Sequence, residues 1–200
     1  MIFRYKGFSI ETDENVYEPS DDTYILLDSL EKVGIRPGFR VLEVGCGTGI
    51  ISIALSGRAA SVVACDINPH AVDVCKRNAA RNKVKNVEVA GSDLFSGVSG
   101  KFDLIVFNTP YLPQSLDETV SGEINYAWDG GVDGRKVIER FLAEVSSYLF
   151  EGGRIVFLES SLSDYEKSLS YLESAGFKVK IINRLKLHFE ELVVIEAVRG

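Results

Sequence analysis

The segment Asn108-Thr109-Pro110-Tyr111 combines a side-chain amide, a backbone carbonyl and an aromatic ring. The oxygens of Asn108 and Thr109 are acceptors that could hold the N–H groups of a planar amide or amine. Such a nitrogen is a poor nucleophile because its lone pair is delocalised, and acceptors on its hydrogens favour the localised, pyramidal form. The ring of Tyr111 offers a flat surface for stacking. The segment indicates group transfer to nitrogen, although it also fits a strand end followed by a proline-containing turn.

A glycine-rich turn provides a candidate cofactor site. In Glu43-Val44-Gly45-Cys46-Gly47-Thr48-Gly49 the glycines allow a sharp turn and the close approach of a ligand. Asp66 follows about 17 residues later, where a carboxylate can accept both hydroxyls of an adenosine ribose. The third glycine falls one position earlier than in the dinucleotide fingerprint, and Ile50 stands in the fingerprint position. This spacing favours a nucleoside without phosphates, and the alternative is a tight turn that binds nothing.

The elements that position these segments follow an alternating pattern. Short β-branched runs alternate with helical stretches, which predicts an α/β fold with a Rossmann-like, seven-stranded, mostly parallel sheet and helices on both faces. Residues 2–10 predict a hairpin, and residues 1–33 precede the core of a single domain that spans residues 1–200. The predicted strands are Arg40–Val44, Val62–Asp66, Val87–Val89, Leu104–Phe107, Arg154–Leu158, Phe177–Asn183 and Glu191–Ala197, the last two as an antiparallel pair. The predicted helices are about 21–32, 48–56, 69–82, 135–149 and 162–175.

Composition narrows the classes of function. The chain has 22 basic and 29 acidic residues and a net charge of -7, so stable binding to nucleic acid is not expected. The three cysteines, Cys46, Cys65 and Cys75, contain no Cys-x-x-Cys pair, and no metal-ligand spacing is present. There is neither a signal-peptide pattern nor an apolar run of the ~20 residues that span a bilayer. We therefore expect a cytoplasmic protein that holds no metal and does not bind membranes.

Together these segments resemble the class I S-adenosylmethionine methyltransferases. The glycine-rich run is similar to their first motif, Asp66 to their ribose-binding acid, and Ser92-Asp93-Leu94 to the segment that holds adenine. Asn108-Thr109-Pro110-Tyr111 resembles the Asn-Pro-Pro-Tyr motif of amino-methyltransferases, with Thr109 in place of the first proline. The resemblance implies that the cofactor is held by Tyr17, Pro19, Thr23, Glu43, Gly45, Cys46, Gly47, Gly49, Asp66, Ile67, Ser92, Asp93, Leu94 and Asn108, and that residues 108–111 are catalytic.

Two further segments resemble the HemK-related family, in particular its short eukaryotic and archaeal branch. These are Val16–Thr23 and Ala127–Gly134. The family methylates the side-chain amide of the glutamine in the Gly-Gly-Gln motif of class I translation release factors, so the resemblance implies this substrate. It also implies a small zinc-binding activator subunit, bound as a heterodimer through the edge strand at Val87–Val89. Trp128 would face the substrate or anchor the core.

Several alternatives remain open from the sequence. By the same resemblance Tyr17, Glu18, Pro19 and Thr23 would line the methionine end of the cofactor and the target pocket. Alternatively, Asp22 and Thr23 lie in the first turn of a helix and favour its dipole. The same acceptor pair would serve an enzyme that methylates the exocyclic amine of adenine in DNA or RNA. A cofactor-binding scaffold without catalysis is a third possibility, although it would have no need of Asn108 and Tyr111.

Overall fold

The structure, a computed structural model, describes residues 1–113 and 130–200. The strands are β1 Ile2–Tyr5, β2 Phe8–Glu11, β3 Arg40–Val44, β4 Ser61–Asp66, β5 Val87–Gly91, β6 Phe102–Asn108, β7 Leu149–Ser160, β8 Phe177–Lys186 and β9 Glu191–Arg199. The helices are α1 Asp21–Leu30, α2 Ile50–Ser56, α3 Pro69–Arg81, α4 Lys136–Val145 and α5 Tyr165–Ser174. Within the described ranges, none of these helices has the length and apolar character needed to cross a membrane.

Seven strands form one sheet in the order β5-β4-β3-β6-β7-β9-β8. The first five are parallel, and β9 runs antiparallel to both β7 and β8. This confirms the predicted Rossmann-like sheet with an antiparallel pair at one end. The chain moves outward from β3 to β4 and β5, then returns to place β6 on the other side of β3. Ligands of such sheets bind at this switch point, beside the carboxyl ends of the strands.

The central strands are buried on both faces. Val41 and Leu42 of β3 are both fully buried and point to opposite sides of the sheet. Val41 packs in a cluster with Leu26 of α1 and Ile53 of α2, whereas Leu42 packs in a cluster with Phe141 of α4. A continuous apolar run therefore forms these strands, because each residue meets a helix layer on one face or the other.

The β1–β2 hairpin is tied to α3 by side-chain amides. Asn82 accepts from the N–H of Ser9 at 2.9 Å, and Asn78 accepts from the N–H of Glu11 at 2.8 Å. The amide nitrogen of Asn78 donates to the carbonyls of Glu11 and Thr48, both at 2.9 Å. One buried asparagine thus connects the hairpin to the glycine-rich turn.

Three predicted helix boundaries are wrong, each for a local reason. The helix predicted from Thr48 begins at Ile50, because Gly49 has a left-handed backbone with φ +78°. The helix predicted from Leu162 begins at Tyr165, after the left-handed residue Asp164. The helix predicted to reach Leu149 ends at Val145, and Leu149 is already the first residue of β7.

Candidate active site

Two adjoining cavities open at the carboxyl ends of the parallel strands. The larger, of about 270 Å³, is lined by predicted site residues at the ends of four strands and near α1: Tyr17, Gly45, Gly47, Asp66, Ile67, Ser92, Asp93, Leu94, Asn108, Thr109, Pro110 and Tyr111. The smaller, of about 30 Å³, is lined by Tyr17, Pro19, Thr23, Glu43, Gly45, Cys46, Gly47 and Asn108, among others. Asn108 lines both cavities. Of the predicted site residues that the structure describes, only Glu18 and Gly49 line neither cavity; Gly49 is the residue directly before α2.

The glycine-rich turn requires its glycines for two different reasons. Gly47 has φ +49° and lines both cavities, and a Cβ placed on it would meet no heavy atom within 4 Å. Gly49 has φ +78°, and a Cβ there would lie 2.5 Å from Sγ of Cys75. The backbone at Gly47 therefore leaves room for a ligand, whereas Gly49 allows α3 to pack against the turn. All three cysteines are buried free thiols.

Glu43 connects the strand before this turn to the helix after it. Its side chain is buried, and one carboxyl oxygen accepts from the N–H of Ser52 at 2.8 Å and from the Ser52 hydroxyl. Burial raises the pKa of the Glu43 carboxyl to about 8, although the bonds from Ser52 act in the opposite direction. At neutral pH Glu43 is thus a largely protonated, neutral group that fixes the start of α2.

The raised pKa of Glu43 predicts that this residue contributes less to the free energy of unfolding of the cofactor-free protein as pH rises. Between the ordinary value of 4.5 and about 8, the unfolded chain has lost the proton while the folded chain keeps it. The free energy of unfolding therefore decreases as pH rises through this window, by up to about 1.4 kcal/mol per pH unit. Glu43→Gln keeps an acceptor for Ser52 without titrating, so urea unfolding at pH 5 to 8 should show a flatter dependence. Exposed Glu173→Gln is the control; equal slopes for Glu43→Gln and wild type would contradict the prediction.

Asp66 joins the turn to the loop after β4. Its carboxylate accepts from the backbone N–H of Gly47 and from that of Asn68, both at 2.9 Å. Burial raises the pKa of Asp66, and these two N–H donors counteract the rise. A carboxylate has about four acceptor positions, so these bonds leave capacity for hydroxyl groups of a ligand.

The segment predicted to hold adenine uses its side chains within the protein. The Ser92 hydroxyl donates to the carbonyl of Leu94 and accepts from the N–H of Gly97, both at 2.8 Å. Asp93 pairs with Arg140 of α4 at 2.9 Å, and both side chains are about half exposed. Lys136, Val137 and Arg140 also line the larger cavity, so α4 contributes to a site for which the sequence analysis named none of its residues.

The tetrapeptide that begins at the last residue of β6 presents one hydrogen-bond acceptor that has no partner in the described part of the chain. The Nδ2 of Asn108 donates to Oδ2 of Asp22 at 3.0 Å. The Oδ1 of the same amide is buried and has no hydrogen-bond partner among residues 1–113 and 130–200. Tyr111 lines the same cavity, and burial, with the nearby carboxylates of Asp22 and Glu190, raises the pKa of its phenol. Acceptor and ring are thus brought together as the sequence predicts.

Thr109 compensates for the proline that it replaces. Its hydroxyl donates to the carbonyl of Leu158 in β7 at 2.6 Å, and the residue is buried. Gly130 and Gly134 lie against the same segment, because a Cβ on them would stand 2.6 Å from the carbonyl oxygen of Pro110 and 2.3 Å from that of Tyr111. Side-chain hydrogen bonding and close backbone packing therefore hold the tetrapeptide. Trp128, the aromatic predicted nearby, lies outside the described residues.

Asp22 is a site residue that the sequence reasoning did not identify. It lies in the first turn of α1, is buried, and lines the larger cavity. The available signal was helical phase, since Asp22 stands three and four positions before Ile25 and Leu26, which are buried on the same helix. Burying a carboxylate on the apolar face of a helix costs free energy unless hydrogen-bond donors pair with it.

Comparison with known proteins agrees with this geometry. Residues 10–124 match the methyltransferase small domain family. The chain is 46% identical over 200 residues to a putative protein N5-glutamine methyltransferase of Methanocaldococcus jannaschii, covering 100% of both. It is 35% identical to the methyltransferase HEMK2 of Homo sapiens, covering 82% of this chain and 80% of the human protein. It also resembles a chain of the E. cuniculi Mtq2–Trm112 complex, with a TM-score of 0.74, 28% identity, and coverage of 93% of this chain and 99% of that one.

The sheet, the glycine-rich turn and these matches define a class I methyltransferase, a class that in general uses S-adenosylmethionine. Within that class the chain belongs to the methyltransferase small domain family, and its relatives assign it to the HemK-related protein glutamine methyltransferases.

Proposed function

We propose that this enzyme binds S-adenosylmethionine and transfers its methyl group to the side-chain amide nitrogen of a glutamine in a class I translation release factor. The observation that carries the proposal is the buried Oδ1 of Asn108, which lies beside both cavities and has no hydrogen-bond partner among the residues that the structure describes. The names of two similar proteins support the substrate: one is a putative protein N5-glutamine methyltransferase, and the other complex is described as responsible for methylation of the termination factor eRF1. The substrate is a translation factor, so the proposal implies action in the cytoplasm.

The residues present fit this cofactor. Gly47 leaves open space on the cavity side of the turn, and Asp66 keeps acceptor capacity suited to ribose hydroxyls. The smaller cavity, lined by Pro19, Thr23 and Gly47 among others, adjoins the larger one at the residues that the sequence analysis placed at the methionine end. The cofactor, when bound, supplies an electrophilic methyl group on a sulfonium.

The chain's own residues would prepare the nitrogen. The Oδ1 of Asn108 and the carbonyl of Thr109 would accept from the two hydrogens of the amide, and Tyr111 would stack against its plane. The buried carboxylate of Asp22 accepts a hydrogen bond from Nδ2 of Asn108 and so lies beside this acceptor. No strong base is needed, because a methylated amide nitrogen that carries positive charge is acidic.

We also propose a small zinc-binding partner bound along β5. This strand forms one edge of the sheet, so its outer N–H and C=O groups have no strand beside them in the described part of the chain. Val87 and Val89 are half-buried, while Glu88 is exposed. The Mtq2–Trm112 complex, in which a chain similar to this one has a partner, supports the proposal.

The test is mass spectrometry of a class I release factor from the same source, incubated with labelled S-adenosylmethionine and this enzyme, with and without the small partner. We expect one added methyl group on the Gly-Gly-Gln glutamine. The controls are the Asn108→Ala enzyme and a release factor in which that glutamine is alanine. A label on adenine of DNA or RNA, and none on the glutamine, would overturn the substrate and retain the methyltransferase.

A further inference from the structure

The Asp22 carboxylate connects the start of α1 to the end of β6. Its Oδ2 accepts from Nδ2 of Asn108 at 3.0 Å. Its Oδ1 accepts from the Tyr17 hydroxyl at 2.9 Å and from the backbone N–H of Thr23. Asp22 is 6% exposed. Both oxygens are therefore committed to donors of the protein, and only one of these donors, Nδ2 of Asn108, belongs to the predicted catalytic segment.

This pairing decides which end of the Asn108 amide faces the substrate. The two ends of an asparagine amide differ in chemistry but hardly in shape, so the surrounding hydrogen bonds determine the orientation. An ionised carboxylate only accepts, so the NH₂ end of Asn108 must face Asp22. The Oδ1 end is consequently left as the buried acceptor without a partner in the described ranges. If the amide were rotated, it would present hydrogen-bond donors to a substrate nitrogen that itself carries hydrogens.

We propose that Asp22 is a positioning residue that locks the Asn108 amide with its oxygen toward the methyl acceptor. The backbone N–H of Thr23 fixes the carboxylate, because this donor cannot reverse its role. The negative charge of Asp22 also polarises the Asn108 amide through the shared hydrogen bond and strengthens its oxygen as an acceptor. The inference rests on methyl transfer at Asn108 as proposed above, but not on the release factor as substrate, since the amine of adenine would need the same acceptor.

The substitution Asp22→Asn gives a sharper test than simple removal of the side chain. The fixed N–H of Thr23 requires an oxygen at the Oδ1 position, so the new NH₂ group would face Asn108. Two NH₂ groups cannot bond to each other, and Asn108 would rotate and turn its own NH₂ toward the substrate. Asp22→Ala imposes no such rotation. We therefore expect Asn, the closer mimic in shape, to be the more damaging substitution for kcat.

The experiment compares wild type, Asp22→Asn and Asp22→Ala, with Asp28→Asn on the exposed side of α1 as the control. The expected kcat falls by about 100- to 1,000-fold for Asp22→Asn, as for loss of the Asn108 acceptor itself, less for Asp22→Ala, and not at all for Asp28→Asn. The Kd for S-adenosylmethionine should remain within about threefold, and the melting temperature of Asp22→Asn should lie closer to wild type than that of Asp22→Ala. In an Asn108→Ala background the two Asp22 substitutions should no longer differ, since both act through Asn108.

The outcomes separate this inference from the proposed function. Wild type that leaves the release factor unlabelled contradicts the substrate, and the series is then run on the acceptor that is labelled. An active wild type with near-normal kcat for Asp22→Asn overturns the positioning role. So does an Asp22→Ala enzyme that is slower than Asp22→Asn, or a loss that persists in the Asn108→Ala background, because each indicates a structural effect alone.

Discussion

Replacing Asn108 with alanine should lower kcat by about 100- to 1,000-fold while the affinity for S-adenosylmethionine stays within a few-fold. The magnitude is that of removing one preorganised group that stabilises developing charge. The structure explains why kcat should change and cofactor affinity should not. The Oδ1 of Asn108 has no hydrogen bond to lose among the described residues, and its Nδ2 is bonded to Asp22 and not to the glycine-rich turn. Initial rates with labelled cofactor and calorimetric titration of the cofactor measure the two quantities.

Asp66→Ala is the opposite case and serves as the comparison. Its carboxylate holds the N–H groups of Gly47 and Asn68 and is the predicted ribose acceptor. We expect weaker cofactor binding, with kcat at saturating cofactor less affected than in Asn108→Ala. Near-normal turnover in Asn108→Ala would show that the acceptor is another group, and equal loss of cofactor affinity in both variants would contradict the division of roles.

Gly49→Ala should destabilise the fold itself. A Cβ at this position would lie 2.5 Å from Sγ, 3.2 Å from Cβ and 3.3 Å from Cα of Cys75, and the Cα belongs to the backbone of α3. Overpacking of this kind costs about 1–3 kcal/mol, and a left-handed residue with a side chain about 1–2 kcal/mol more. The free energy of unfolding should therefore fall on the order of 2–5 kcal/mol, as measured by urea denaturation without cofactor.

Gly47→Ala provides the matched control two residues away. Its φ of +49° is also left-handed, but an added Cβ would meet nothing within 4 Å. The expected loss of stability is only about 1–2 kcal/mol, and the main effect should be on cofactor affinity because Gly47 lines both cavities. If the two alanine variants lost the same stability, packing against Cys75 would not be the reason for glycine at position 49.

The sheet could be predicted because burial on both faces leaves a clear pattern. Arg40–Val44 was predicted to its exact limits, since a short β-branched run ends at glycine. The start of β7 was missed: Leu149 already pairs with Phe102, and the register then shifts before Leu104 pairs with Arg154. Gly152 and Gly153 lie between these pairs, and glycine is depleted in strands, so only the neighbouring strand shows that the chain continues as an irregular strand.

The sequence could predict several single residues of the candidate site, but not the contacts between residues that are distant in the chain. Glycine spacing and strand ends indicated Gly47, Asp66 and Asn108 because each has a local signature. Helical phase marks Asp22 as an acid on the buried side of α1, but no local pattern identifies Asn108, 86 residues away, as its partner. The contribution of Arg140 to the cavity likewise depends on where α4 lies over the sheet.

The threonine hydroxyl bonded to Leu158 has a consequence for how relatives of this enzyme are recognised. A search for the literal sequence Asn-Pro-Pro-Tyr would miss this chain at its second residue, although a hydrogen bond to the adjacent strand anchors that residue here. The second position is thus constrained by geometry, which a proline ring or a side-chain hydroxyl that donates to the adjacent strand can each satisfy. A structural criterion would instead look for an amide oxygen without a hydrogen-bond partner at the end of the fourth strand of the main sheet along the chain, followed by a residue anchored to the adjacent strand. Such a criterion would retain enzymes that a literal sequence motif excludes.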